Sequence, residues 1–403
     1  MRPILRPSPH HFSRALPLLA LAGALCWPSP SLAITGNSPA RIANLANVTK
    51  VAATQTSSVF LKADGTVWTL GNFNCSPTQV SFPAGVSITD IAAGAGHVVA
   101  LASGGSVYAF GDNNYGELGN CTTTSSTSPV QVMVSSTCTR QGGPTALSGA
   151  SAVAAGGFHS LALISNGTVQ AWGRNDYGQL GDGSTTQRTA AVPVSTLTGA
   201  VQVAAGGYHS LALLSNSQVM GWGRAADGQL GDVNCIFSYT VPTHMQLYAN
   251  GSSVNFNGTA AIAAGNEFSI MVQAAKGAVW TTGNGGRGEL GIGTTASSCW
   301  PVQISGFKNI VLAAAGPESE YALALRLVSP PVAPFAWGRN DMDQVGNNSN
   351  TDALSPVAIA IPAGITLAQG RGSLAGGGLH SLAVATDGTV VGWGNNVYCA
   401  LGN

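Results

Sequence analysis

Cysteine, histidine and acidic side chains are the groups in this 403-residue chain that could carry covalent, metal or proton-transfer chemistry, and their spacing limits what that chemistry can be. Six cysteines follow Cys26: Cys75, Cys121, Cys138, Cys235, Cys299 and Cys399. None stands in a CxxC pair, so zinc-knuckle and thioredoxin-like readings find no motif. Four of the seven histidines, His97, His159, His209 and His380, share one local context, each opening a short apolar run. Asp176, Asp182, Asp227, Asp232, Glu117 and Glu289 fall in one recurring Gly-rich loop, which assigns them to turn-making. Glu318, Glu320, Asp341 and Asp343 are the nearest thing to an irregular acidic group, and they read as solvated loop acids. Ser160 and Ser210 follow histidines but belong to the same recurring strand. No GxSxG, HExxH, Walker or dinucleotide motif is present. The chain is therefore expected to be no enzyme, with no catalytic residue, no metal and no cofactor.

What positions these residues is a repeat. Val153 and Val203 each begin a 30-residue phrase, VAAGGFHSLALISNGTVQAWGRNDYGQLGD and VAAGGYHSLALLSNSQVMGWGRAADGQLGD. The Gly after the aromatic strand marks each unit: Gly71, Gly111, Gly173, Gly223, Gly283, Gly338 and Gly394, spaced 40, 62, 50, 60, 55 and 56 residues. Within a unit, a small-residue strand such as 158–164 leads through a two-residue turn into a strand such as 168–172. The pairs Asp64–Gly65, Gly104–Gly105, Asn166–Gly167 and Asp387–Gly388 supply the positive φ of a tight hairpin. Residues one and three before the marker share a strand face. Every unit puts an aromatic there: Trp68, Tyr108 with Phe110, Trp172, Trp222, Trp280, Phe335 with Trp337, and Trp393. These rings are expected to pack unit on unit, and the strand at 158–164, rich in small residues, is expected to lie innermost.

The phrase VAAGGYHSLAL, the hairpin, WGRNDYGQLGDG and a later Pro-Val resemble the repeat of the regulator of chromosome condensation family, over roughly residues 38–403. The likeness is specific in units three and four and weaker in units one, five and six. It implies an all-β, seven-bladed β-propeller that binds proteins. The N-terminal SPARIANLANVTKVAA reads as the second part of a unit and the C-terminal WGNNVYCALGN as the first. Joined, they close the ring. Face-to-face sheets about 10 Å apart keep the four histidines from converging on a metal ion about 2.0 Å from each ligand, so a structural histidine bonded to backbone is expected.

Residues 1–33 read as a secretory signal: Arg2, Arg6 and Arg14, an apolar run from Ala15 to Trp27, and an exit at Ser31, Leu32 and Ala33, with cleavage after Ala33. The run is shorter than the roughly 20 residues of a membrane span. Charged residues make up only 8% of the chain, and the equal counts of 16 basic and 16 acidic residues become an excess of three acids once the three leader arginines are gone. The lysines are Lys50, Lys62, Lys276 and Lys308, widely scattered, so nucleic acid is excluded as a partner. A secreted or periplasmic monomer of one domain, 34–403, is expected. In an oxidising compartment six cysteines favour three disulfides, and repeat phase with ring closure pairs Cys75 with Cys399, Cys121 with Cys138, and Cys235 with Cys299.

Function is then expected in the departures from the repeat. Unit two inserts 121–150, unit six replaces its hairpin turn with a Pro-rich segment from Arg326, and unit four inserts 235–259. The last carries Phe237, Tyr239, His244, Tyr248 and Phe256, and aromatics in a polar loop suit a binding surface. The leading expectation is a secreted, non-catalytic scaffold whose partner is a protein or cell-surface component. Inhibition of a secreted enzyme, as by related bacterial propellers that inhibit β-lactamases, and action on polysaccharide are the alternatives. Guanine-nucleotide exchange, the resembled family's best-known activity, is disfavoured by the leader and by the lack of a basic tail.

Overall fold

A computed structural model describes residues 39–135, 138, 144–249, 252–327 and 332–402. Residues 1–38, which hold the expected leader, and the centre of the Pro-rich segment, 328–331, lie outside the described residues. Seven antiparallel sheets, each built on four strands, follow one another along the chain and close into a seven-bladed propeller. Six blades span 48–79, 88–131, 150–193, 200–244, 259–303 and 310–358. The seventh joins 374–394 to Ala40–Arg41.

Blade 3 shows the plan. Its strands run Ala150–Ala155, His159–Ile164, Val169–Gly173 and Arg188–Pro193, from the axis outward. The innermost strand is thus the Val-Ala-Ala strand, and the strand opened by His159 comes second, contrary to the expected order. Both strands are apolar, but only the first is small enough at its Ala positions to line an axial channel of about 400 Å³ shared by all seven blades. The hairpin turn also differs from expectation. Gly167 has φ +82° while Asn166 is not left-handed, and Gly167 N donates to Ile164 O. The loop is therefore three residues long, a tight turn closed by a left-handed Gly, with Asn166 Oδ1 accepting from Thr168 N.

Blades are knitted by a repeated polar link as well as by apolar contact. Trp172, Trp222, Trp337 and Trp393 are fully buried against neighbouring blades, and each donates its Nε1–H to a carbonyl of the preceding blade, as Trp222 does to Gln179 O at 2.9 Å. The same carbonyl accepts a serine hydroxyl, Ser210 Oγ at 2.8 Å. That serine also meets Nε2 of the preceding blade's histidine, His159, at 2.8 Å. Because the hydroxyl hydrogen is committed to the carbonyl, the imidazole Nε2 must donate. His97–Ser160, His209–Ser269 and His380–Ser58 repeat the link at 2.9, 3.0 and 3.0 Å. The histidines are structural, with a serine of the next blade as their partner. Burial pushes these rings down to about 4 for His97 and His380 and about 3 for His159 and His209, so all four are neutral near pH 7.

The ring closes where Ala40 and Arg41 pair with Gly392 and Val391. Across this seam Cys75 and Cys399 sit at disulfide distance, S–S 1.93 Å. Cys121–Cys138 and Cys235–Cys299 are likewise bonded, at 2.11 and 1.93 Å. The first of these pairs anchors an insertion whose strands Met133–Val134 and Thr145–Ala146 extend blade 3 at its outer edge. No helix among the described residues is long and apolar enough to cross a membrane.

Candidate binding face

In four antiparallel strands, the turns after the first and third strands lie at the same end of the sheet. One face of the propeller is therefore made of two rings of loops: an inner ring from the Gly-Gly segments, and an outer ring from the loops after the marker glycines. The outer loops are held rigidly. Asn175, fully buried, donates through Nδ2 to Asp182 Oδ1 and to the carbonyls of Ser184 and Thr186, while its Oδ1 accepts from Leu180 N. Asn113 and Asn340 do the same in blades 2 and 6. Glu117 and Glu289 accept the backbone N–H of Tyr115 and Arg287, and Gln179 accepts that of Tyr177 in the equivalent place, which confirms a turn-making role.

On this scaffold five rings follow one another across blades 2 to 4. Tyr115 meets Phe158 at 5.6 Å between centroids, Phe158 meets Tyr208 at 5.8 Å, Tyr208 meets Tyr177 at 5.5 Å, and Tyr177 meets Phe237 at 5.5 Å. The Arg174 guanidinium lies among them, 4.7 Å from the Tyr115 ring centre, 5.3 Å from Tyr208 and 5.6 Å from Phe158. Asp176 holds it there at 2.7 Å. Four of the rings are half-buried, and Phe237 at the end of the row is 67% exposed. Such an array offers broad, preorganised apolar area with polar edges.

Blades 4 to 6 carry charge instead. Arg224 pairs with Asp227 and Glu267, and Arg339 pairs with Glu320 and Asp341. Glu318 is the exception. It was expected to be a solvated loop acid, yet its Oε1 is closed from solvent and finds no hydrogen-bond partner among the described residues. It reaches over the axial mouth, where a Cβ added to Gly157 of blade 3 would lie 2.7 Å from that oxygen. Burial, reinforced by Glu320 and Glu267, pushes its carboxyl up to about 7.

The five aromatic-loop residues singled out in blade 4 do not form one surface. Phe237 joins the ring row. Tyr248 is exposed but faces Trp300 on the outer rim, 6.3 Å between centroids. Tyr239 is half-buried in the outer strand Ser238–His244, and its hydroxyl donates to Asp232 Oδ2 at 2.8 Å. His244 is half-buried at the end of that strand, paired with Met220. Phe256 is 3% exposed, packed against Trp280, and so belongs to the core and not to a recognition loop. The row of rings itself was hidden because Tyr115, Tyr177, Phe158 and Tyr208 occupy repeat positions. The signal lies in blade-to-blade variation: the residue before the histidine position is Phe158 or Tyr208 here but Thr56, Gly96, Glu267, Glu320 and Leu379 elsewhere.

Comparison with known proteins agrees with this architecture. The RCC1-like domain model matches residues 35–322, and a regulator of chromosome condensation (RCC1) repeat matches 373–398. The chain belongs to the RCC1-like domain family. The ultraviolet-B receptor UVR8 of Arabidopsis thaliana is 29% identical over 331 residues, covering 81% of this chain and 69% of the receptor. Human E3 ubiquitin-protein ligase HERC2 is 27% identical over 324 residues, which is 77% of this chain but only 6% of that much longer protein. Among solved structures, yeast RCC1 (Prp20) bound to Kap60 superposes with a TM-score of 0.67 at 21% identity, over 88% of this chain and 82% of that one. Human WBSCR16 gives 0.67 at 20% identity, over 89% and 90%. These likenesses establish the propeller fold.

Proposed function

We propose that this RCC1-like propeller is a secreted, non-catalytic scaffold that binds a protein partner on the loop face centred on Arg174 and Phe237. The observation that carries this reading is the row of five rings, locked from below by Asn-bonded loops and ending in an exposed Phe237. Aromatic and Arg side chains held in a rigid, partly dehydrated patch are the usual centres of protein interfaces. Three cysteine pairs at disulfide distance support an oxidising compartment and removal of residues 1–33 as a leader.

The test compares capture of partner from native secretions by the mature protein and by Phe237→Ala. Truncating a central aromatic costs about 2 kcal/mol or more, so the Kd for the captured partner should rise about 30-fold. Tyr248→Ala, on the rim, should change it less than twofold. Equal capture by both variants would count against this face. A point substitution serves better than removing residues 236–258, because that segment includes the outer strand of blade 4 and the core ring Phe256.

A further inference from the structure

We propose that the partner places a basic side chain, a lysine or an arginine, in the axial mouth against Glu318. This rests on the binding-face reading and adds the chemistry of the occupant. The ring faces beside the axis already hold a cation, since Arg174 lies over Tyr115, Phe158 and Tyr208. What they lack is apolar contact along their outward edges. The charged half of the face lacks something different. Arg224 and Arg339 are each divided between two carboxylates, and neither pairs with Glu318. The groups that bear electrostatically on Glu318 are Glu320 of its own loop and Glu267 of blade 5, both like charges. Tyr208 of blade 4 also lies within electrostatic range of it.

A carboxylate with a desolvated, unpaired oxygen is a costly group to leave in place, and an incoming cation relieves that cost. Gly157 and Gly207 line the mouth closely, since a Cβ on either would come within 2.7 Å of Glu318 Oε1 and 2.2 Å of Asn266 Oδ1 respectively, while the Glu318 side chain as a whole stays partly exposed to an incoming group. Charge complementarity thus favours a protein segment that lays apolar groups along the rings and sends one basic side chain towards the axis.

Random dodecapeptides displayed on phage and selected on the immobilised mature propeller in about 0.15 M salt provide the probe. Selected peptides should carry a Lys or Arg next to an apolar residue. Their Kd should rise at least tenfold on Glu318→Gln and also on Phe237→Ala, with the melting temperature of neither variant reduced. Replacing the peptide's basic residue by norleucine leaves the propeller untouched and should produce the same loss, with no further loss when combined with Glu318→Gln. Peptides that depend on Phe237 but lack a basic residue, or that ignore Glu318→Gln, would overturn the inference and leave the binding face standing. Peptides insensitive to Phe237→Ala, or recovery of no binder, would count against both.

Discussion

The junction between blades 3 and 4 and the seam between blades 7 and 1 hold neighbouring blades together with unequal means. Between blades 3 and 4 the link is complete: His159 to Ser210, Ser210 to Gln179 O, and Trp222 to the same carbonyl. At the seam His380 meets Ser58, and Ser58 donates to Ala400 O at 2.6 Å, but Leu70 stands where Trp222 would be, so the indole bond is missing. In its place are the Cys75–Cys399 disulfide and the Phe73–Tyr398 ring contact at 5.3 Å. The repeat's own polar link is thus complete between blades 3 and 4, and where its indole is absent the sequence supplies a disulfide and a ring contact instead. The junction of blades 5 and 6 is a third solution. Phe268 replaces the histidine and Ala322 the serine, an apolar pair within one core cluster. The polar and apolar pairs are alternatives, because a buried hydroxyl or imidazole without its partner is costly.

The seam disulfide should give the largest effect. Its 324-residue separation, against 17 for Cys121–Cys138, predicts upper losses of about 6 and about 3 kcal/mol in the chain-entropy account. Calorimetry of Cys75→Ser/Cys399→Ser beside Cys121→Ser/Cys138→Ser should show the seam variant melting lower. Equal melting would mean that packing alone closes the ring.

Acid comes next. A buried histidine held below its ordinary 6.5 binds a proton less readily folded than unfolded, so its contribution is intact above pH 6.5 and is lost as pH falls towards 4. At roughly 1.4 kcal/mol per pH unit, each ring can withdraw about 3 kcal/mol. Glu289 and Glu318, raised from 4.5 to about 7, act in the opposite sense as pH rises between those values, but four rings outweigh two carboxyls. Melting temperature should fall steadily from pH 6.5 to 4.5. The double change His159→Phe/Ser210→Ala, copying the Phe268–Ala322 pair, should flatten that slope by about half, since it removes one of four rings from a balance that two carboxyls oppose. An unchanged slope would deny the rings this role.

Ser210→Ala alone orphans the His159 Nε2–H and should cost about 2 kcal/mol, more than the double change does, as chemical denaturation of the three proteins can decide. The smallest effect belongs to Arg41→Ala. Its ion pair with Asp387 is nearly half exposed at each end, and an exposed pair contributes at most about 1 kcal/mol.

How much of this was legible in the residues differs between scaffold and site. The blade count, the buried Trp172, Trp222, Trp337 and Trp393, and the phase of Cys75 against Cys399 could be read because each follows from a period repeated seven times. The order of the first two strands could not, since the Val-Ala-Ala and His-Ser-Leu-Ala strands are both apolar and only the crowding at the axis separates them. Tyr115, Tyr177, Phe158 and Tyr208 lie within the repeat and do not stand out as departures from it, although their repetition in successive blades is what aligns them into one surface. Glu318 looked like any loop acid, because nothing local records that its loop bends over the axis towards Gly157.

The two-residue strand that completes blade 7 also sets an order of events during synthesis. Arg41 emerges before blade 1, and its partner Asp387 lies 346 positions later. Blades 1 to 6 can form as they appear, but the ring stays open until blade 7 has been made, leaving unpaired strand edges on a partly folded ring. A chain stopped ten residues short lacks Cys399 and the loop of blade 7 that meets blade 1, so it should aggregate instead of closing. The ring therefore closes only when both of its ends are present, with the Cys75–Cys399 disulfide tying blade 7 to blade 1.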